Sequence, residues 1–130
     1  MNARLIGGRS PNEGRVEIYH QGVWGTICDS GWDIKDALVV CRMLGFVSAE
    51  EAKCCAFHGK GTGQIWLKNV SCKGNETSLD KCLHGGWSGE TCDHSQDASV
   101  VCSSNRTVDA FTAVPSPTTQ APGQNVSGIS

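Results

Sequence analysis

The sequence predicts a small α+β domain stapled by disulfides, on three observations. Eight cysteines lie between Cys28 and Cys102 in a chain of 130 residues. Short β-rich runs alternate apolar and polar side chains, and one segment after Asp33 has helical periodicity. A body near 100 residues can bury a core of its own, and cross-links then help it.

Taken in order, Arg4 to Ile6 reads as a short leading strand. Gly14 to His20 alternates, with Val16 and Ile18 on one face and Arg15, Glu17 and Tyr19 on the other. Gln21-Gly22 supplies a two-residue turn and Val23 to Cys28 the return strand, a hairpin signal. Asp33 is a good N-cap, because its carboxylate accepts from the free amides of a first turn. Ala37, Leu38, Cys41 and Leu44 then share one apolar face, and Gly45 follows as a C′ residue. Gln64 to Val70 and Ala98 to Cys102 read as further strands. Cys54 and Cys55 follow Glu50, Glu51 and Lys53 on what reads as an exposed loop. Residues 1–103 form the domain. Residues 104–130, rich in Ser, Thr and Pro, read as a disordered linker or O-glycosylated stalk that buries too little to offset ordering entropy.

Composition excludes several classes. A net charge of −2 gives no electrostatic footprint for nucleic acid. No apolar run approaches 18 residues, so membrane insertion is not expected of this segment. Apart from the adjacent pair Cys54-Cys55, the cysteines lie ten or more positions apart, with no C-x2-C; this spacing favours disulfides over zinc. Disulfides imply an oxidising, extracellular setting. Sequons at Asn69, Asn75, Asn105 and Asn125 agree with it. The first residues show no apolar leader, so the chain is expected to be an excised fragment of a secreted or membrane protein.

The blocks Gly14-Arg15-Val16-Glu17-Ile18-Tyr19, Trp24-Gly25-Thr26-Ile27-Cys28-Asp29 and Val39-Val40-Cys41-Arg42-Met43-Leu44-Gly45 stand in an ordered series. Gly61 to Leu67, Val70-Ser71-Cys72, Cys92-Asp93-His94 and Asp97 to Cys102 complete it. Together, over about residues 3 to 103, they resemble the scavenger receptor cysteine-rich family. The resemblance implies a curved β-sheet cradling one main helix, with long loops on one side. It implies bonds Cys28–Cys92, Cys41–Cys102 and Cys72–Cys82, the six-cysteine subgroup pattern. Cys54 and Cys55 are surplus to it, and a vicinal disulfide, free thiols or an intermolecular bond remain open for them. The calcium site of family members carries over to Asp29, Ser30 and Gln96, where only Asp29 is charged. Binding there is expected to be weak, and no cofactor is required.

No G-x-S-x-G elbow or H-E-x-x-H helix is present, and His20, His58, His84 and His94 read as surface or structural groups, so the chain is not read as an enzyme. Trp24 and Trp66 fall in strand patterns and read as core. Trp87, in the glycine-rich loop Gly85 to Gly89, reads as exposed. Arg4, Arg9, Arg15, Lys53, Lys60, Lys68 and Trp87 are the candidate ligand-binding residues. The expected function is non-covalent recognition, in scavenger or pattern-recognition fashion, of proteins or of polyanionic or microbial surfaces. The alternatives are an accessory domain of a mosaic enzyme, of membrane serine protease or lysyl oxidase type, and a spacer or adhesion module.

Overall fold

The computed structural model describes residues 1–87 and 91–105. The expectations for the stalk and for Asn125 lie outside the described residues.

Six strands form one curled sheet: β1 (Asn2–Gly7), β2 (Glu13–His20), β3 (Val23–Ile27), β4 (Ala49–Lys53), β5 (Ile65–Leu67) and β6 (Ser99–Cys102). The order is β4-β6-β2-β3-β5, with β1 paired to β2. Strand β2 is the hub. One edge carries β1 along residues 14–19; the other is shared between β6 at Glu13–Arg15 and β3 at Glu17–His20. The β2–β3 turn puts Gln21 at φ 50° and Gly22 at φ 81°, the two positive values of a type I′ turn. Among the described residues only the β3–β5 pair is parallel, and all three residues of β5 are buried, as parallel strands generally are.

One α-helix, α1 (Ile34–Met43), packs on β4 and β6. Asp33 caps it by accepting from the amides of Lys35 and Asp36, and Asp36 answers by accepting from Asp33 N–H, a reciprocal capping box. Leu44 is the C-cap, so Gly45 stands at C′. The buried stripe is Asp36, Ala37, Val39, Val40 and Cys41, with Leu38 and Leu44 only half-buried. It is rotated from the expected face because α1 is covered on two sides, by the sheet and by the 72–82 segment. Val16, Ile18, Ile27, Leu67 and Val100 meet α1 in a single core.

Bonds join Cys28 to Cys92, Cys41 to Cys102 and Cys72 to Cys82, and Cys54 is bonded to Cys55. Closing loops of 64 and 61 residues is worth about 4 kcal/mol each in the chain-entropy account, and the 10-residue loop about 3 kcal/mol.

Residues 49–53, to which the sequence reading assigns no element, are a strand paired antiparallel with β6, and Cys54 and Cys55 follow it on an exposed loop as expected. Ala-Glu-Glu-Ala-Lys holds no β-branched or aromatic residue, so local propensity gave no sign of the strand. Pairing with the apolar β6 decides the conformation.

Candidate functional site

The alternation of β2 sets the site. Val16 and Ile18 face the core, so Arg15 and Glu17 share the outer face. The β1–β2 register places Arg4 opposite Glu17 and Ile6 opposite Arg15. Glu17 therefore sits between two arginines. Its Oε1 accepts from Arg4 Nε at 2.9 Å and Nη2 at 2.7 Å. Its Oε2 accepts from Arg15 Nε at 2.9 Å and lies 2.8 Å from Arg15 Nη2. These are side-on, two-point contacts that fix both guanidinium planes. The Arg4 guanidinium also lies 4.2 Å from the ring centroid of Trp24, a cation–π contact.

The segment 54–62 closes one side. Six hydrogen bonds fasten it among the described residues. Cys55 N–H donates to Asp29 Oδ2 at 2.7 Å, Ala56 N–H to the Asp97 carbonyl at 3.0 Å, and Gly61 N–H to Asp97 Oδ2 at 2.6 Å. Arg15 Nη1 donates to the Gly59 carbonyl, and the His58 ring is held between Glu13 and Ser99. Gly61 is required here, because a Cβ would lie 2.7 Å from Thr26 Cγ2 and 3.2 Å from Asp97 Oδ2. The result is a cleft of about 280 Å³ lined by Arg4, Arg15, Glu17, Trp24, Lys60 and Thr62, among others. Three cationic groups face one carboxylate there, a net of two positive charges.

Of the candidate ligand-binding residues, the structure brings together Arg4, Arg15 and Lys60. Arg9 is exposed in the β1–β2 turn. Lys53 pairs with Glu51 at 2.5 Å and lies over Phe57, and Lys68 donates to Thr91. Trp87 corrects the expectation of exposure: it is half-buried, its ring stacked 3.7 Å from His20 and set edge-on to Trp66. Trp24 is also half-buried and lines the cleft, where the strand pattern had placed it in the core. Glu17 and Trp24 were missed as site residues. Their signal lay in the pairing of Arg4 with Glu17 and in the outward phase of Tyr19, which is paired with Trp24.

The three positions matched to a calcium site each have another partner. Asp29 Oδ2 accepts from Cys55 N–H, Ser30 Oγ donates to Asn69 Oδ1 at 2.7 Å, and Gln96 Oε1 accepts from Asp93 N–H. One carboxylate with two neutral groups turned to other partners does not fit a cation that takes six to eight oxygens. Asn69, Asn75 and Asn105 are exposed, as acceptors of glycans must be, and the third residue of the Asn105 sequon lies outside the described residues.

Glu13, His58 and Ser99 have the composition of a hydrolytic triad, with His58 Nε2 2.9 Å from Glu13 and Nδ1 2.9 Å from Ser99 Oγ. Ser99 is fully buried in β6, so no substrate carbonyl reaches its hydroxyl. The row instead fastens the 54–59 segment to the sheet, and the hydrogen bond to His58 holds the Glu13 carboxyl below its usual range.

Residues 6–103 match the family model described as the scavenger receptor cysteine-rich domain. The chain is 50% identical over 101 residues to macrophage scavenger receptor types I and II of Mus musculus, covering 78% of this chain and 22% of that one. It is 49% identical over 107 residues to lysyl oxidase homolog 4 of Bos taurus, covering 82% and 14%. The crystal structure of the third scavenger receptor cysteine-rich domain of murine neurotrypsin superposes with a TM-score of 0.72 at 45% identity, covering 78% of this chain and 94% of that one. The chain spans less than a quarter of the length of the curated relatives it matches.

Proposed function

The chain belongs to the scavenger receptor cysteine-rich family, and on that premise we propose that it is an extracellular, non-catalytic recognition module whose Arg4–Arg15–Lys60 cleft takes an anionic group of a protein or polyanionic ligand. The carrying observation is the pair of guanidiniums fixed by Glu17 beside Lys60. Fixed donors lose less entropy on binding than free ones. A cleft of about 280 Å³ is at the small end for ligand pockets, so it suits one sulfate, phosphate or carboxylate, with the rest of the ligand on the surface. Similarity to macrophage scavenger receptors supports the reading.

In solution, Arg4→Ala with Lys60→Ala is expected to weaken binding of a sulfated polysaccharide about tenfold at low salt, since each exposed charge contact is worth roughly 0.5–1 kcal/mol. The difference should fade toward 1 M salt, where the screening length falls to about 3 Å. Surface plasmon resonance reads both. Equal binding by the variant refutes the cleft, and no binding by the wild type favours the spacer reading.

Recognition through this cleft is independent of calcium. Chelation is expected to leave polysaccharide affinity unchanged, and calorimetry should detect calcium binding only after charges are restored in a Ser30→Asp, Gln96→Glu variant. Micromolar calcium binding by the wild type overturns the proposal.

A second reading, an accessory module of a larger enzyme, rests on the identity to a segment of lysyl oxidase homolog 4. Catalytic sequence flanking this domain in the intact protein would establish it.

A further inference from the structure

The bond Cys54–Cys55 stands apart from the three that frame the fold. Both of its residues are exposed, whereas Cys28, Cys41, Cys72, Cys82 and Cys102 are buried and Cys92 is half-buried. It closes a loop of a single step along the chain, so it restricts the unfolded state far less than the others. Its surroundings are nonetheless organised. The Asp29 carboxylate is held against it by the Cys55 N–H bond, and the sulfurs and a carboxylate oxygen all lie within 4.8 Å of one another. Cys55 and Ala56 have positive φ values of 69° and 55°, a conformation that non-glycine residues keep only when their surroundings impose it. The amide bonds to Asp29 and Asp97 and the His58 anchor impose it here. None of these involves sulfur, so the arrangement outlasts opening of the bond.

From this we infer that Cys54–Cys55 is a reducible site which, once opened, holds a thiophilic divalent cation between its two thiolates and Asp29. In the opening step an external thiolate attacks one sulfur, and the other leaves and takes up a proton. A second thiol then displaces the first from the mixed disulfide. The net change is one protein disulfide and two thiols going to two protein thiols and one external disulfide. Access decides which bond reacts, and only this one is presented on both residues. The cation displaces the two thiol protons. Two thiolates, one carboxylate and a water then make the four-coordinate set that zinc and cadmium take. Thiolates select such ions over calcium and magnesium. The site is distinct from the anion cleft and does not rest on it.

The test uses the full chain. Brief treatment with a small excess of a monothiol, followed by alkylation and peptide mapping, is expected to label Cys54 and Cys55 and leave the other six cysteines bonded. Labelling of any of those six first, or resistance of Cys54 and Cys55 until the protein unfolds, overturns the inference. Cadmium added to the selectively reduced protein is expected to give thiolate-to-metal charge-transfer absorption that saturates at one ion per chain. The oxidised protein and a Cys54→Ser, Cys55→Ser variant should give none, while that variant melts within about 5 °C of the wild type, a shift equivalent to about 1 kcal/mol. Asp29→Asn keeps an oxygen acceptor for the Cys55 amide, and in the reduced protein it should weaken cadmium binding roughly tenfold or more. No absorption in the reduced wild type, or equal affinity in the Asp29→Asn protein, also overturns it.

Discussion

Replacing Asp36 with alanine is expected to destabilise the domain by about 2–4 kcal/mol, because it leaves the buried Cys72 N–H unpaired at about 1–3 kcal/mol and removes the capping bond from Asp33 N–H, worth about 0.5–1.5 kcal/mol. Asp36 is fully buried. Its Oδ1 accepts from Cys72 N–H at 2.7 Å and its Oδ2 from Asp33 N–H at 2.8 Å. One carboxylate thus closes the capping box of α1 and ties the helix to the segment that carries the Cys72–Cys82 bond. Against a typical total of about 5–15 kcal/mol, the loss is large enough to unfold a marginal domain. Asp36→Asn should cost less, since it keeps one acceptor but turns an NH2 toward the other amide. Burial pushes the Asp36 carboxyl up from its ordinary 3.8 to about 6, against the two amides that pull it down. The folded state therefore holds this proton at a pH where the unfolded chain has lost it. Its contribution to stability is present below about pH 4 and falls as the pH rises through about 6. Urea melts of wild type and Asp36→Asn between pH 4 and 7 check this. A wild type that gains stability from Asp36 over that window refutes it, as does an alanine variant as stable as the wild type.

Much of this frame was legible in the sequence, and the parts that were not share a cause. The hairpin could be read because alternation in β2 and Gln21-Gly22 are local signals. The helix start could be read because Asp33 caps locally. Asp36 shows the limit: its place three residues after Asp33 marks a capping box, yet its second task depends on where Cys72 lies in space. Strand β4 was illegible for the same reason, since only its pairing with β6 makes Ala49–Lys53 extended. Arg4, Arg15 and Lys60 were picked out as cations, but only strand register and the path of residues 54–62 place them together. That path hangs on Asp97, whose buried carboxylate accepts from Gly61 N–H and lies 3.0 Å from the His94 ring. Trp87 sits in a glycine-rich loop that reads as exposed, and partners distant in sequence, His20 and Trp66, cover it.

Opening the Cys41–Cys102 bond, by Cys41→Ala with Cys102→Ala, is expected to be the second severe change, at about 4 kcal/mol from loop closure alone. The bond joins α1 to β6, and both cysteines are fully buried. Its loop of 61 residues contains β4 and β5, so the unfolded chain gains freedom over much of the domain when it is lost. Alanine leaves no polar group in the core, but the missing sulfurs add a cavity of about two atoms to the core that holds both cysteines, which raises the cost. For a domain near 100 residues each kcal/mol moves Tm by about 4–5 °C, so the melting temperature should fall by roughly 15 °C or more. The Cys28–Cys92 bond closes a loop of 64 residues, so entropy alone ranks it equal. Burial separates the two, because Cys92 is only half-buried and leaves less of a void. Calorimetry on the two paired-alanine variants, beside the Cys54→Ser, Cys55→Ser protein, orders the three bonds. The expected order of damage is Cys41–Cys102, then Cys28–Cys92, then Cys54–Cys55 far behind. A Cys41→Ala, Cys102→Ala protein that melts within a few degrees of the wild type would show that packing of α1 on the sheet holds the fold without this covalent tie.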